Sequence, residues 1–232
     1  VYDEPAKPAS NADVFRDVGA IRVPAGFTRL PCKEGSFGYW LRKVRLKLDK
    51  QVFLYNGRLK PNQQAQFAVM DISVGAKDLQ QCADAIMRLR AEYLFEQKRF
   101  TDIVFSDNLG KKYGWTGGSD KTNFQRYLDR VFGMCGTASL EKQLNPGSLK
   151  NVEPGDVFIK GGFPGHAMIV VDVVVNEKGE RRFMLAQSYM PAQDIHVVRN
   201  PDADSSPWYK ADDLQPITTP EWTFSTNQLR KW

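Results

Sequence analysis

Residues 153–187 read EPGDVFIKGGFPGHAMIVVDVVVNEKGERRFMLAQ, and the fold turns on how this stretch is read. Glu153-Pro154-Gly155-Asp156 is a turn, and Val157-Phe158-Ile159 is a short apolar run. Lys160 to Gly165 is a loop dense in glycine and proline, so the chain bends sharply there. His166 opens Ala-Met-Ile-Val-Val-Asp-Val-Val-Val, whose β-branched residues predict a buried strand. Asn176 to Gly179 supplies a hairpin turn, and Arg181 to Gln187 returns as the partner strand. A loop of this length pairs Val175 with Glu180, which sets His166 opposite Tyr189 and Met168 opposite Gln187. Gln187 then shares a face with His166 as its diagonal neighbour, while a slip of one residue turns it to the other face. A histidine at the mouth of a strand, behind a bending loop, is a candidate general base. The amide oxygen of Gln187 is placed to accept from its imidazole and fix the tautomer.

The whole chain has 232 residues, 42% hydrophobic and 25% charged, the composition of a globular protein with a sizeable core. Residues 1–20 read as a flexible N-terminal linker, and residues 21–232 as a single domain. The net charge of +5 is mild. Its one basic cluster, Arg42 to Lys47, alternates with apolar residues as a solvated strand face does, so nucleic acid is not an expected partner. No run approaches a membrane span. Cys32, Cys82 and Cys135 with two histidines lack ligand spacing, so neither a metal nor another cofactor is expected. Gly114, Gly117 and Gly118 do not form a phosphate loop.

Upstream, Ser36 to Leu41 predicts a short helix, and Asn56-Gly57 between Val52–Tyr55 and Arg58–Lys60 predicts a type I′ hairpin. Phe67 to Val74 reads as a strand. The longest helix is expected to start near Leu79, capped by Asp78 with Gln81 completing a capping box. Leu79, Cys82, Ala83, Ile86, Leu89 and Tyr93 recur on its packed face. Cys82 therefore lies in the first turn, where the macrodipole favours a thiolate; taken alone, the segment better suits a small buried hydrophobe on the apolar stripe, the commonest fate of a free cysteine. Thr122 with Gln125 marks the head of a second helix, which ends at Cys135, a weaker nucleophile unless a new helix begins at Thr137. His196 alternates with apolar residues and is the reserve base. The C-terminal aromatics, Trp208 and Trp222 among them, either cover the core or line a groove.

The order Cys82, His166, Gln187, with the turn Pro154-Gly155-Asp156-Val157 ahead of the histidine strand, resembles the papain-like NlpC and CHAP cell-wall peptidases and amidases. The usual Asp-Cys-Ser or Cys-Gly surroundings of those enzymes are replaced here by Gln81-Cys82-Ala83-Asp84. Nearly the whole chain, through Asp78 to Tyr93 and Ala186 to His196, also resembles an uncharacterised bacterial domain-of-unknown-function family. The first resemblance implies an α+β, papain-like (NlpC-type) fold: an antiparallel sheet, a packed N-terminal catalytic helix, and elaborations. It implies a cysteine hydrolase of amide or peptide bonds, with peptidoglycan, or a related peptide or glycan, as substrate. Cys82 is then the nucleophile, His166 the base and Gln187 the orienting residue, while Gln81, Tyr189 and Trp208 contact substrate. It also implies an extracytoplasmic location. The alternative is a catalytically inactive envelope protein that binds glycan or peptide on the same scaffold.

Overall fold

The computed structural model describes residues 14–203 and 206–232. Four α-helices occur among them: α1 (Phe37–Arg42), α2 (Cys82–Glu96), α3 (Lys121–Met134) and α4 (Thr137–Gln143). The strands are β1 (Phe27–Arg29), β2 (Gln66–Val69), β3 (Val104–Ser106), β4 (Lys112–Gly114), β5 (Asn145–Pro146), β6 (Val157–Lys160) and β7 (His166–Asn176). They continue as β8 (Arg181–Gln187), β9 (His196–Val198), β10 (Trp208–Lys210), β11 (Ile217–Thr218), β12 (Thr223–Phe224) and β13 (Leu229–Lys231). The main sheet runs β2-β9-β8-β7-β6-β13-β5, with β1 added to β7 and β10 to β8. Strands β3–β4 and β11–β12 form separate two-stranded ladders, and the described pairings are antiparallel. The protein is thus α+β with mostly antiparallel sheet.

β7 is apolar almost throughout because both of its faces are covered. Ala167, Ile169 and Val171 face the larger core, where α2 contributes Ile86, Leu89 and Tyr93. Met168, Val170 and Val173 face a second core with Phe158, Phe183 and Phe224. The alternation changes phase between Val171 and Val173 because β7 carries a bulge there against β8. The extra residue is accompanied by Asp172, fully buried and held by Arg29 Nε at 2.8 Å and Arg42 Nε at 2.6 Å.

The bulge matters for register. The hairpin loop is one residue shorter than expected, because Asn176 pairs with Glu180 and its Oδ1 accepts from the N–H of Lys178 at 3.0 Å and of Glu180 at 2.9 Å. Val175 consequently faces Arg181, not Glu180. The bulge absorbs one residue, so beyond it Val170 faces Leu185 and Ile169 faces Ala186, the pairing the longer loop would have produced. The expected register fails at the turn and holds at the site.

Other expectations shift in detail. α2 starts at Cys82, three residues after Leu79, with Gln81 as N-cap. Asp78 does not cap it: its Oδ1 accepts from the N–H of Ala192 at 2.7 Å and from Gln81 Nε2 at 3.1 Å. Asp84 Oδ2 instead accepts from the N–H of Gln81 at 3.0 Å. α3 is capped by Asp120, whose Oδ1 takes the N–H groups of Thr122 and Asn123, not by Thr122. Only Gly57 has positive φ in the Asn56-Gly57 turn, so the hairpin closes through a type I turn with a left-handed glycine rather than type I′. The strand expected over residues 67–74 is confined to β2. Of the expected linker, residues 1–13 lie outside the described residues, whereas Val18 is fully buried and Phe15 packs on the core. Burial there offsets the entropy of ordering the segment.

Candidate active site at the head of β7 and α2

His166 is the first residue of β7 and is 2% exposed. Its ring lies 4.6 Å from Tyr189, 5.3 Å from Trp222 and 6.0 Å from Phe224, centroid to centroid. This apolar burial pushes the imidazole down to about 4, so the ring is neutral near pH 7. Its Nε2 and Gln187 Oε1 are 2.8 Å apart.

The hydrogen-bond chain beyond Gln187 fixes which nitrogen of His166 carries the proton. Glu221 Oε2 is an acceptor only, and it takes a bond from Gln187 Nε2 at 2.8 Å. The Gln187 carbonyl must therefore point at His166, whose Nε2–H donates to it. His196 agrees with this assignment. Its Nδ1–H donates to the Asp194 carbonyl at 2.9 Å, which leaves its Nε2 lone pair to accept from Gln187 Nε2 at 3.2 Å. Glu221 is anchored in turn by Lys60 Nζ at 2.7 Å and Asn62 Nδ2 at 3.2 Å. The basic nitrogen of His166 is thus Nδ1, which has no bond among the described residues and is not one of the sealed polar atoms.

Cys82 is the first residue of α2 and is partly exposed. Its thiol is approached by the backbone N–H groups of Ala83, Ala167 and Cys82 itself, which favour a thiolate. Burial outweighs them and, with the Asp84 carboxylate, pushes the thiol up to about 11. Asp84 is itself pushed up to about 8 by burial, and its Oδ1 is sealed without a partner. The resting site therefore holds a thiol and a neutral imidazole.

Cys82 and His166 are brought to the same strand end but not into a hydrogen bond among the described residues. Alternation along β7 gives the reason. Ala167 faces α2, whereas His166 belongs to the opposite face with Met168 and Gln187. The thiol is influenced by the backbone amide of Ala167, which follows His166, and not by the ring.

The other expected residues divide. Tyr189 stacks on His166 at the site. Gln81 lies beside the thiol in sequence, but its amide is turned to Asp78. Trp208 is 3% exposed and donates from Nε1 to the Arg22 carbonyl at 2.9 Å; it packs in the core, and the cleft it borders, with Arg182, Asn200 and Tyr209, includes neither Cys82 nor His166. His196 is fully buried, which removes it as a base open to substrate; it steadies the Gln187 amide instead. Cys135 ends α3 and precedes α4, which does begin at Thr137; it is buried, and burial pushes its thiol up to about 11. Glu221, Lys60 and Asn62 were not anticipated. Their only sequence signal is an acid beside Trp222 in a C-terminal loop, which carries no pattern of its own.

Among the described residues no group of three or more histidine, cysteine, aspartate or glutamate side chains is arranged to hold a metal ion. No described helix is long and apolar enough to cross a membrane.

The family model described as "Domain of unknown function (4846)" matches residues 18–117 and 110–231. No curated protein matches the chain, and no solved structure does. The chain belongs to the family of domain of unknown function 4846.

Proposed function

We propose that this member of the family is a cysteine hydrolase of amide or peptide bonds, with the papain-like arrangement of nucleophile helix and histidine strand. One observation carries the reading: Cys82 heads α2 and His166 heads β7, and the backbone amide of Ala167, next to His166, is among the groups that lower the Cys82 thiol pKa. The His166 ring, at the same strand end but on the other face, has its Nε2 committed to Gln187, so that Nδ1 is its basic atom. Sγ attacks the carbonyl carbon while Nδ1 removes the thiol proton. The proton passes to the leaving amine, the C–N bond breaks, and a thioester forms that water then hydrolyses. The backbone N–H groups at the start of α2 are the donors that would stabilise the carbonyl oxygen as it gains charge. With a thiol near 11 and an imidazole near 4, attack follows general-base catalysis rather than a preformed ion pair. Gln187 and Glu221 act through the ring as positioning residues, and Tyr189 is the aromatic that substrate meets beside it. Peptidoglycan stem peptides are the proposed substrate class, which goes with an extracytoplasmic location.

The test is amine release from purified muropeptides and from a panel of peptide anilides by the full chain. The wild-type protein is expected to release amine with a transient thioester on Cys82, seen by intact mass. Cys82→Ala abolishes release, and His166→Ala lowers it by about 10²–10⁴-fold. Turnover that survives Cys82→Ala overturns the reading, as does no turnover of any substrate.

A second reading, a binding protein on the same scaffold, is favoured by one feature: the thiol rests protonated, with no bond to the imidazole among the described residues. It expects Cys82→Ala and wild type to co-sediment equally with insoluble peptidoglycan while neither releases amine.

A further inference from the structure

A cleft of about 290 Å³ opens between the start of α2 and the face of α3. That is just under the roughly 300 Å³ at which small-molecule sites begin, so only a small ligand fits. Its apolar wall is Leu79 and Phe132, and its polar wall is Gln80 and Arg88. Neither Cys82 nor His166 lines it.

The polar wall is built but incompletely matched. Gln80 is 2% exposed, and its Oε1 accepts from Arg88 Nη1, which fixes the orientation of the amide. Its Nε2 is then a sealed donor with no acceptor. A buried amide N–H left unmatched is costly and invites an acceptor. Arg88 is held by Glu92 Oε1 at 2.8 Å through Nε and by the Ser73 carbonyl through Nη1, while Nη2 has no partner among the described residues. Gln80 Nε2 and Arg88 Nη2 are thus two donors on the same wall without acceptors among the described residues, one of them on a guanidinium, and the two oxygens of a carboxylate would suit them. The carboxylate already in the cleft does not serve them. Asp129 accepts from Lys77 Nζ at 2.6 Å and from Gln125 Nε2 at 3.0 Å, so both of its oxygens are used at the far wall.

We propose that this cleft binds a small carboxylate with a short apolar body, its oxygens on Gln80 Nε2 and Arg88 Nη2 and its body against Leu79 and Phe132. The site stands apart from the chemistry proposed for Cys82 and does not depend on it. A ligand there would nonetheless rest two residues from the thiol, because Gln80 leads directly into α2.

Propionate, isovalerate and glutarate titrated into the ¹⁵N-labelled full chain test this, with propionamide and isovaleramide as uncharged partners and sodium chloride at matched ionic strength. Saturable shifts of the Gln80 side-chain amide and the Arg88 Nε–H are expected with the carboxylates. The amides are expected to bind more weakly. Gln80→Leu, whose own spectrum reports that it is folded, is expected to weaken binding about ten- to a hundredfold, the range for one hydrogen bond to a charged acceptor. The proposal is overturned if no carboxylate gives saturable shifts, if the amides bind equally well, or if Gln80→Leu binds like wild type. None of these outcomes depends on whether Cys82 is a nucleophile.

Discussion

Glu221→Gln probes the base of the hydrogen-bond chain that orients His166. Glu221 Oε2 serves both Lys60 Nζ and Gln187 Nε2, and the side chains of Lys60 and Glu221 are only 5% and 16% exposed. A glutamine carbonyl can occupy the same position and keep both hydrogen bonds; the exposed Asn62 can turn to suit its amide. What the substitution removes is the charge, which leaves a buried ammonium without a counter-ion. The attraction lost is about 4 kcal/mol for a near-surface pair at contact distance, and breaking buried pairs typically costs about 3–5 kcal/mol. Lys60 limits the loss by releasing its proton, because burial already lowers its pKa even with Glu221 present. The expected destabilisation at pH 7 is therefore about 3 kcal/mol.

That route sets the sign of the pH dependence. In the variant, the folded state gives up the Lys60 proton earlier than the unfolded chain does, so raising the pH toward the ordinary lysine value favours folding. The deficit should shrink by up to about 1.4 kcal/mol per pH unit between the variant's folded Lys60 value and the less depressed wild-type one. Urea unfolding of both proteins across pH 7 to about 9.5 measures it, provided the slopes agree. The double variant Lys60→Met/Glu221→Gln, which removes both charges, should recover most of the loss. A Glu221→Gln protein within about 0.5 kcal/mol of wild type at pH 7, with no pH slope, would refute the electrostatic anchoring of Gln187.

Asp84→Asn has two expected outcomes. Asp84 is raised to about 8 when folded, so its contribution to stability is complete below the unfolded value and is lost as pH rises through 8; the asparagine variant lacks that decline, a difference of at most about 5 kcal/mol between pH 4 and pH 8.5 by urea unfolding. Because the Asp84 carboxylate also raises the Cys82 thiol, iodoacetamide labelling of Cys82 should follow an inflection near 11 in wild type and a lower one in the variant; coincident profiles would place the carboxylate outside the thiol's surroundings. Asp172→Asn should cost about 3–5 kcal/mol by leaving Arg29 and Arg42 without their shared partner, and a loss below about 1 kcal/mol in urea unfolding would mean that the bulge does not depend on the charge.

How much of this was legible in the chain follows from separation and period. His166 and Gln187 were found because one hairpin joins them and strand alternation decides which side chains share a face. Glu221 and Lys60 were not, because they reach Gln187 and each other from 34 and 161 residues away, through loops without periodicity. The start of α2 was misplaced because Asp78 matches a capping pattern but spends its carboxylate on the N–H of Ala192, a partner 114 residues distant. Trp208 shows that composition marks an aromatic as amphipathic without saying which side of a sheet receives it.

The same alternation that places Gln187 beside His166 also carries the chain's sharpest constraint on function. If Gln187 and His166 share a face, Ala167 must take the other, and α2 packs on the Ala167 face. A thiol at the head of α2 is therefore brought to the backbone of residue 167 by the fold itself, while the imidazole is held on the far side by Gln187 and by the rings of Tyr189, Trp222 and Phe224. Any chemistry between them takes place around the end of β7, where the strand stops and leaves Nδ1 unsealed. Gly165 precedes the strand: a Cβ there would lie 2.3 Å from the Gly162 carbonyl and 2.7 Å from Thr137 Oγ1, so the bend behind His166 admits no side chain. The glycine-rich loop thus does more than permit approach. It ends the strand at His166, the residue whose Nδ1 is left unsealed.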